Sequence, residues 1–515
     1  MSQERPQFYK NTLELLMING TSLEQTLQEL RVAVRNGVNM IESDYPPRGV
    51  YDGKGIFDGD IGIALAYLRL AQQTSSLGED TKSHPSFYDL ASARIPETGP
   101  DLPLQIGGLS PLASKSPLAA VVLRILHKSA TGNARDISDS DLTILSDAVK
   151  LALSHGSVAL YNGHHLGADE VLFGRSGLLW ALLNIRARVD DFPDVQRELL
   201  NLSLEAIPDL LSAIIQAGRD GAAAYVKKHG DEGSLPLMWP WLPGHYGFGW
   251  AHGMAGIIPI LLSCRVEELT TNNTNYLPDL GATITVLCRL CISHNGHLPT
   301  MVPPRSSRPS ELVQICHGAP ALLALLGCAM NHTTLLTNYW EPEWEHALRL
   351  ASERVWDEGL LSKGGSLCHG IAGNAWPFLL LHNAYEYNAG DIERARENYA
   401  KRSSNEDIPE SRLDGDFFLT RAVAMLLHAR ETKPYNRSLD TAANDYRMPD
   451  RPYSFFEGLS GTVCAWAEAC AVIGARLRKN ELGDAGFKID VLFRGAIAQQ
   501  LGFPCLGGNG VNGFL

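Results

Sequence analysis

The 515 residues carry 45% hydrophobic and 20% charged side chains, an ordinary globular balance that excludes disordered, collagen-like and disulfide-scaffold chains. A net charge of −13 argues against a nucleic-acid binder, because phosphate neutralisation needs clustered Lys and Arg. Length alone predicts about three domains at roughly 100–200 residues each, and 48 glycines, against roughly 7% in an average chain, call for a cause.

Apolar residues recur every third or fourth position from Leu13 to Val38, which predicts an amphipathic helix. The same period predicts helices over Ile61–Leu70, Leu118–Leu126, Leu178–Ala187, Leu210–Ala217 and Leu280–Ser293. It continues through Leu322–Met330, Trp344–Val355, Trp376–Tyr385, Arg421–Ala429 and Val463–Leu477. Strand-like alternation is scarce, so the fold class is all-α. Polar, proline- or glycine-bearing stretches near 72–116, 298–310, 401–414 and 432–452 read as long loops rather than linkers, because a repeated motif continues across each of them.

That motif is Gly-x-x-Gly followed by an apolar helical run. It occurs at Gly59–Gly62, Gly174–Gly177, Gly253–Gly256, Gly370–Gly373 and Gly458–Gly461. Gly318-Ala319-Pro320-Ala321 is a copy without the second glycine, and Ser114–Ala120 is a more degraded copy recognised by spacing. These make seven units, each long enough for two helices, which accounts for both the length and the glycine excess. The expected organisation is one domain over residues 1–515.

The N-terminus, Met1-Ser2-Gln3-Glu4-Arg5, shows no basic stretch followed by an apolar one, and no run reaches the roughly 18 apolar residues of a membrane span. Nine cysteines, an odd number, fit reduced thiols and a cytoplasmic location. Gly508–Gly513 matches Gly-x-Gly-x-x-Gly, but only two residues follow it, so no helix can open there to bind a dinucleotide. Cys288-x-x-Cys291 lies in an apolar helical run and reads as core.

Three units carry His-Gly: Ala251-His252-Gly253, Cys316-His317-Gly318 and Cys368-His369-Gly370. If neighbouring units stack, the two Cys-His-Gly triplets meet at adjacent helix N-termini, where the helix dipole favours thiolate. Two thiolates and one imidazole suit zinc with a fourth position left for a reactant. Spacing leaves open whether His317 or His369 supplies the nitrogen, and the alternative is that both cysteines are small core residues. His252, with an ordinary pKa near 6.5, is a candidate proton donor and acceptor beside such a metal.

With these motifs the chain resembles the lanthionine synthetase C-like family. The resemblance is strongest at YGFGWAHGMAG (246–256), ELVQICHGAP (311–320), GLLSKGGSLCHGIAGN (359–374) and SFFEGLSGT (454–462). EVLFGRSGL (170–178) and the first Cys-His-Gly resemble the eukaryotic branch in particular. The resemblance implies an α/α toroid of seven inner and seven outer helices. It assigns zinc to Cys316, Cys368 and His369, and acid–base catalysis to His252. It also implies a catalytic acidic residue at Glu170, ahead of a Gly-x-x-Gly, and glutathione contacts at Lys363 and Arg5. The implied reaction is addition of a thiol, glutathione or a peptide cysteine, to an α,β-unsaturated acceptor such as a dehydroamino acid, forming a thioether. The alternatives are a lanthionine-forming peptide cyclase and a non-catalytic zinc-containing, glutathione-binding regulatory protein. A glycosidase on the same fold would need paired carboxylates, whereas the turns offer only Asp60, Glu170 and Glu457 as acids. The chain departs from the family pattern at Ile315, where a Trp is usual, and at Ala321, where a Gly is usual. Glu311 and Leu312 stand where the bacterial branch has an arginine, with Arg305 and Arg308 further back.

Overall fold

The Gly-x-x-Gly turns start helices because the second glycine lies directly on backbone. In the computed structural model, which describes residues 5–506 except 49–50, 52, 79–85, 162, 272–273, 306–310, 404–412, 439–445 and 485, a Cβ added at Gly373 would sit 1.7 Å from the Leu367 carbonyl oxygen. Only a residue without a side chain lets the helix Ile371–Tyr387 fold back so tightly over the turn leading into it. The fifth unit, lacking its second glycine, turns at Gly318 with φ +131°, a conformation that L side chains rarely adopt.

Seven helices follow these turns: Asp60–Gln72, Leu118–Ala130, Arg175–Arg186, Met254–Leu262, Ala319–Asn331, Ile371–Tyr387 and Leu459–Leu482. Each packs against the next, and the seventh packs against the first, so they close an inner ring. Hydrogen bonds tie the turns around one rim. Cys316 N–H donates to the Cys368 carbonyl (3.2 Å), Cys368 N–H to Phe456 (2.7 Å) and Phe456 N–H to Phe57 (3.2 Å). Trp250 N–H donates to Ile315 (3.2 Å) and Ile56 N–H to Pro111 (3.0 Å). Turns separated by 52 residues, as Cys316 and Cys368 are, or by 399, as Phe57 and Phe456 are, thus sit side by side.

After each of the first six inner helices comes an outer one: Phe87–Ser92, Asp139–Leu153, Ile207–His229, Leu277–Ser293, Pro342–Glu358 and Gly415–His428. The N-terminal helix Gly20–Asp44 supplies the seventh, packed on Leu459–Leu482. The architecture is the helical toroid that the resemblance implied, and it agrees with the count of seven units. Its inner helices are buried on nearly every side, Ile371–Tyr387 almost completely, so their sequences read as apolar runs rather than stripes.

The segment Gln500–Leu506 packs inside the ring, fully buried. Arg69 donates to the Gly502 carbonyl (2.5 Å), and Glu468 accepts from the backbone N–H groups of Leu501 (3.0 Å) and Gly502 (2.8 Å). The Phe503 ring meets Trp250, Trp376 and Phe456, whose ring centroids lie at 5.8, 5.4 and 6.5 Å.

The first helix starts at Gly20 rather than Leu13, because Asn19 caps it: its side chain accepts from Ser22 N–H and the Ser22 hydroxyl returns the bond. Helices Asp139–Leu153, Asp194–Leu204, Ala389–Ser403 and Val491–Ala498 were not expected from the apolar period; they are partner-covered on one face only, and their apolar stripes are narrow. The long region 72–116 contains the short outer helix Phe87–Ser92, opened by a Ser86–Asp89 capping box. Cys288 and Cys291 are fully buried in an outer helix, as core. Gly508–Gly513 and Arg308 lie outside the described residues. Among the described residues no single helix is long and apolar enough to cross a membrane.

Candidate metal centre and its neighbours

Cys316, Cys368 and His369 converge on the rim of the ring. Their Sγ and ring-nitrogen atoms all lie within 4.8 Å of one another. The turn of Cys316 is folded by a two-residue hairpin in which Val313 and Gln314 pair with Gly318 and His317. Asn374, buried in the first turn of the sixth inner helix, donates to the carbonyls of Val313 (2.9 Å) and Gly359 (3.1 Å), so one side chain braces both cysteine turns. The two thiols are buried, with 6% and 5% exposure, and His369 is half-buried.

Burial opposes charge on Cys316. Hydrogen bonds from the Cys368 thiol and His369, with the nearby His317, overcome it and pull the Cys316 thiol well below its ordinary range. The same Cys368–Cys316 hydrogen bond, reinforced by burial, holds Cys368 well above it. The two thiols are thus pushed in opposite directions by their shared hydrogen bond. Tetrahedral zinc with bonds of about 2.0–2.3 Å sets its ligand atoms roughly 3.5–3.8 Å apart, so these three atoms need draw in by at most about 1.3 Å. The residues fit the metal. His317 is half-buried and held neutral: burial lowers its pKa, and the Cys316 thiolate only partly offsets this.

His252 lies beside this cluster. Its Nδ1 is 2.5 Å from Glu170 Oε2, and its ring centroid is 5.9 Å from that of His317. Glu170 comes from the turn before the third inner helix, held by an Asp169–Arg175 ion pair at 2.6 Å; burial pushes Asp169 up to about 6 against the pull of Arg175. The Glu170 side chain is 1% exposed. Burial raises its pKa, and the His252 charge only partly offsets that. For His252 burial works downward, but the Glu170 carboxylate and the Cys316 thiolate more than compensate, and its pKa is raised. With Nδ1–H donated to Glu170, Nε2 is left for proton exchange.

Sequence reasoning missed the aromatic wall around His252. Trp241 stacks on the His252 ring at 4.7 Å and 8° between planes, and lies 5.3 Å from His317; the Phe173 ring is 6.1 Å from that of His252. Trp241 sits on the strand Pro240–Leu242, whose partner His245–Gly247 is bridged to Gly253. The only signal for Phe173 is its place next to Gly174. For Trp241 there was none, because it arrives through a hairpin outside the repeat turn.

Lys363 is exposed on the turn before Cys368, and its charge acts on both Cys368 and His317. The N-terminal segment runs along this turn: Ser362 N–H donates to the Gln7 carbonyl (3.1 Å) and Tyr9 N–H to Leu360 (2.9 Å). Exposed Arg5 is therefore two residues from a backbone contact with the neighbour of Lys363. Half-buried Glu457 acts electrostatically on Cys368 and His369 from the adjacent turn.

The sequence profile of the lanthionine synthetase C-like protein family matches residues 50–411. The chain is similar to a zebrafish (Danio rerio) protein named glutathione S-transferase LANCL1, with 25% identity over 443 residues, covering 86% of this chain and 87% of that protein. It is also similar to the Arabidopsis thaliana LanC-like protein GCL1, with 25% identity over 315 residues, covering 61% of this chain and 58% of that protein. Fold, turn motifs and profile agree, and the chain belongs to the lanthionine synthetase C-like family.

Proposed function

We propose that this chain, acting as one toroidal unit, adds a thiol to an α,β-unsaturated acceptor and forms a thioether, with glutathione as the thiol. The observation that carries the reading is the His252–Glu170 pair lying one side chain, His317, away from a three-ligand Cys316–Cys368–His369 cluster. Zinc held by those three residues would lower the pKa of a thiol at its open position.

His252 takes the proton of the arriving thiol at Nε2, and Glu170 holds the resulting imidazolium through Nδ1–H. The sulfur then bonds the acceptor's β-carbon, the π pair moves into the enolate, and His252 returns the proton to the α-carbon. Trp241 and Phe173 keep the His252 ring in place and give the acceptor an apolar wall. Lys363, with Arg5 on the adjoining segment, provides positive charge for the glutathione carboxylates. The name of the zebrafish relative supports the choice of thiol. All nine cysteines are unpaired in disulfides and buried, which supports a reducing cytoplasmic setting.

The test is mass spectrometry of the zinc-loaded chain incubated with glutathione and a dehydroalanine peptide. Thioether product is expected, with a rate at least ~100-fold lower in His252→Ala, the scale of a lost general acid–base group. No product from the wild type, or an unchanged rate in His252→Ala, would overturn the reading. A peptide bearing both cysteine and dehydroalanine in the same assay separates ring closure from glutathione transfer.

A further inference from the structure

The turns of Cys316 and Cys368 are held by the backbones of two aromatic residues. Trp250 N–H donates to the carbonyl of Ile315, next to Cys316, and Cys368 N–H donates to the Phe456 carbonyl. Gly249 lies against the same turn, since a Cβ added there would sit 1.9 Å from the Cys316 carbonyl oxygen. The rings of Trp250 and Phe456 stack at 4.7 Å, and both are fully buried. A shift of either ring is thus passed to a backbone group bonded to a cysteine turn.

Phe503 meets both members of that stacked pair from inside the ring, and it also meets Trp376 of the sixth inner helix. The backbone that carries it is clamped. Glu468, on the seventh inner helix, accepts from Leu501 and Gly502 N–H, and Arg69, on the first, donates to the Gly502 carbonyl. Gln73 donates both to Glu468 (2.8 Å) and to the Gln499 carbonyl (3.0 Å). Asn383, on the sixth inner helix, donates to the Gln500 side chain at 2.5 Å. Cys505 has φ +58°, a left-handed conformation that a non-glycine residue keeps only where its surroundings impose it. Filling the ring would require apolar bulk alone, whereas this segment is fixed through its backbone by three inner helices, with its aromatic ring against both residues that hold the cysteine turns.

We infer that the C-terminal segment Gln500–Leu506 is a positioning element for the metal centre: Phe503, by bracing Trp250 and Phe456, fixes the turns of Cys316 and Cys368 relative to each other. The inference rests on Cys316, Cys368 and His369 being the ligands of the metal, and not on the reaction assigned to it. Groups outside the ligand set that orient the ligands carry about 10–100-fold of metal affinity.

The test titrates zinc-loaded, full-length protein with a chromophoric chelator and reads zinc affinity from the competition. Phe503→Ala is expected to bind zinc about tenfold or more weakly than the wild type. Phe503→Leu keeps most of the apolar bulk and should lie between the two. Phe418→Ala removes an equally buried ring from an outer helix, where it packs on Phe378 and Tyr385. It should lower the melting temperature comparably and leave zinc affinity within about twofold, because it shares no partner with the cysteine turns. Wild-type affinity in both Phe503 variants, or in Phe503→Leu where the alanine variant does not fold, would overturn the inference. Equal losses in Phe503→Ala and Phe418→Ala would overturn it too, by reducing the effect to lost stability. A wild type that carries no zinc would remove the metal centre itself, and the inference with it.

Discussion

The Glu170–His252 pair carries a sharp prediction. Glu170→Gln keeps the side-chain size and removes the charge. In the wild type, burial pulls the His252 pKa down, while the carboxylate at 2.5 Å and the Cys316 thiolate push it above its ordinary value. A hydrogen bond to a charged group contributes about 1.5–3 kcal/mol, and one pKa unit corresponds to about 1.36 kcal/mol. The variant's His252 should therefore titrate about 1–2 units lower than the wild type. The assay is a pH titration of the His252 ring by ¹⁵N NMR, with wild type and variant in the same metal state. The stability consequence has a definite sign. A raised histidine pKa stabilises the wild-type fold fully below the unfolded value, and this contribution is lost as pH rises through the folded value. Once burial prevails in the variant, the sign reverses, and stability falls as pH drops through the ordinary histidine range. If the two pKa values agree within about 0.3 unit, an energy of only about 0.4 kcal/mol, the carboxylate does not control His252, and the proton-transfer role given to the pair fails with it.

Elemental analysis of purified protein should find about one zinc per chain in the wild type and essentially none in Cys368→Ala, because two protein ligands fall short of the three that hold zinc at an open site; equal zinc in both would remove the metal centre. Gly373→Ala forces a Cβ to within 1.7 Å of the Leu367 carbonyl. It should cost about 1–3 kcal/mol or more in denaturant unfolding, as overpacking does, and should weaken zinc retention because the same turn carries Cys368 and His369. An unchanged unfolding midpoint would show that the turn relaxes freely.

The turns were legible in sequence because each answers to a local demand. A carbonyl six residues upstream occupies the space of a Cβ, as Leu367 does at Gly373, and that demand recurs in the five units that keep the second glycine. Cys316, Cys368, His369 and His252 were legible for the same reason, since each stands within a few residues of such a turn. Helix ends set by capping, such as Asn19 with Ser22, were missed where the apolar period overruns the cap.

Tertiary structure alone decided what crosses the ring. Closure places Glu170 against His252 across 82 positions. It lays Trp241 from a neighbouring hairpin on the same imidazole, and Phe503 from the far end of the chain under the turn of Trp250. It sets the Cys316 thiol against that of Cys368, which pulls the first below its ordinary range and holds the second above it. The repeat in the sequence determined that seven similar two-helix units form and which side chains stand at their turns. Which of those side chains touch, and with what charge, follows only from bringing distant segments into one low-dielectric neighbourhood, where burial and a nearby partner contend for each proton.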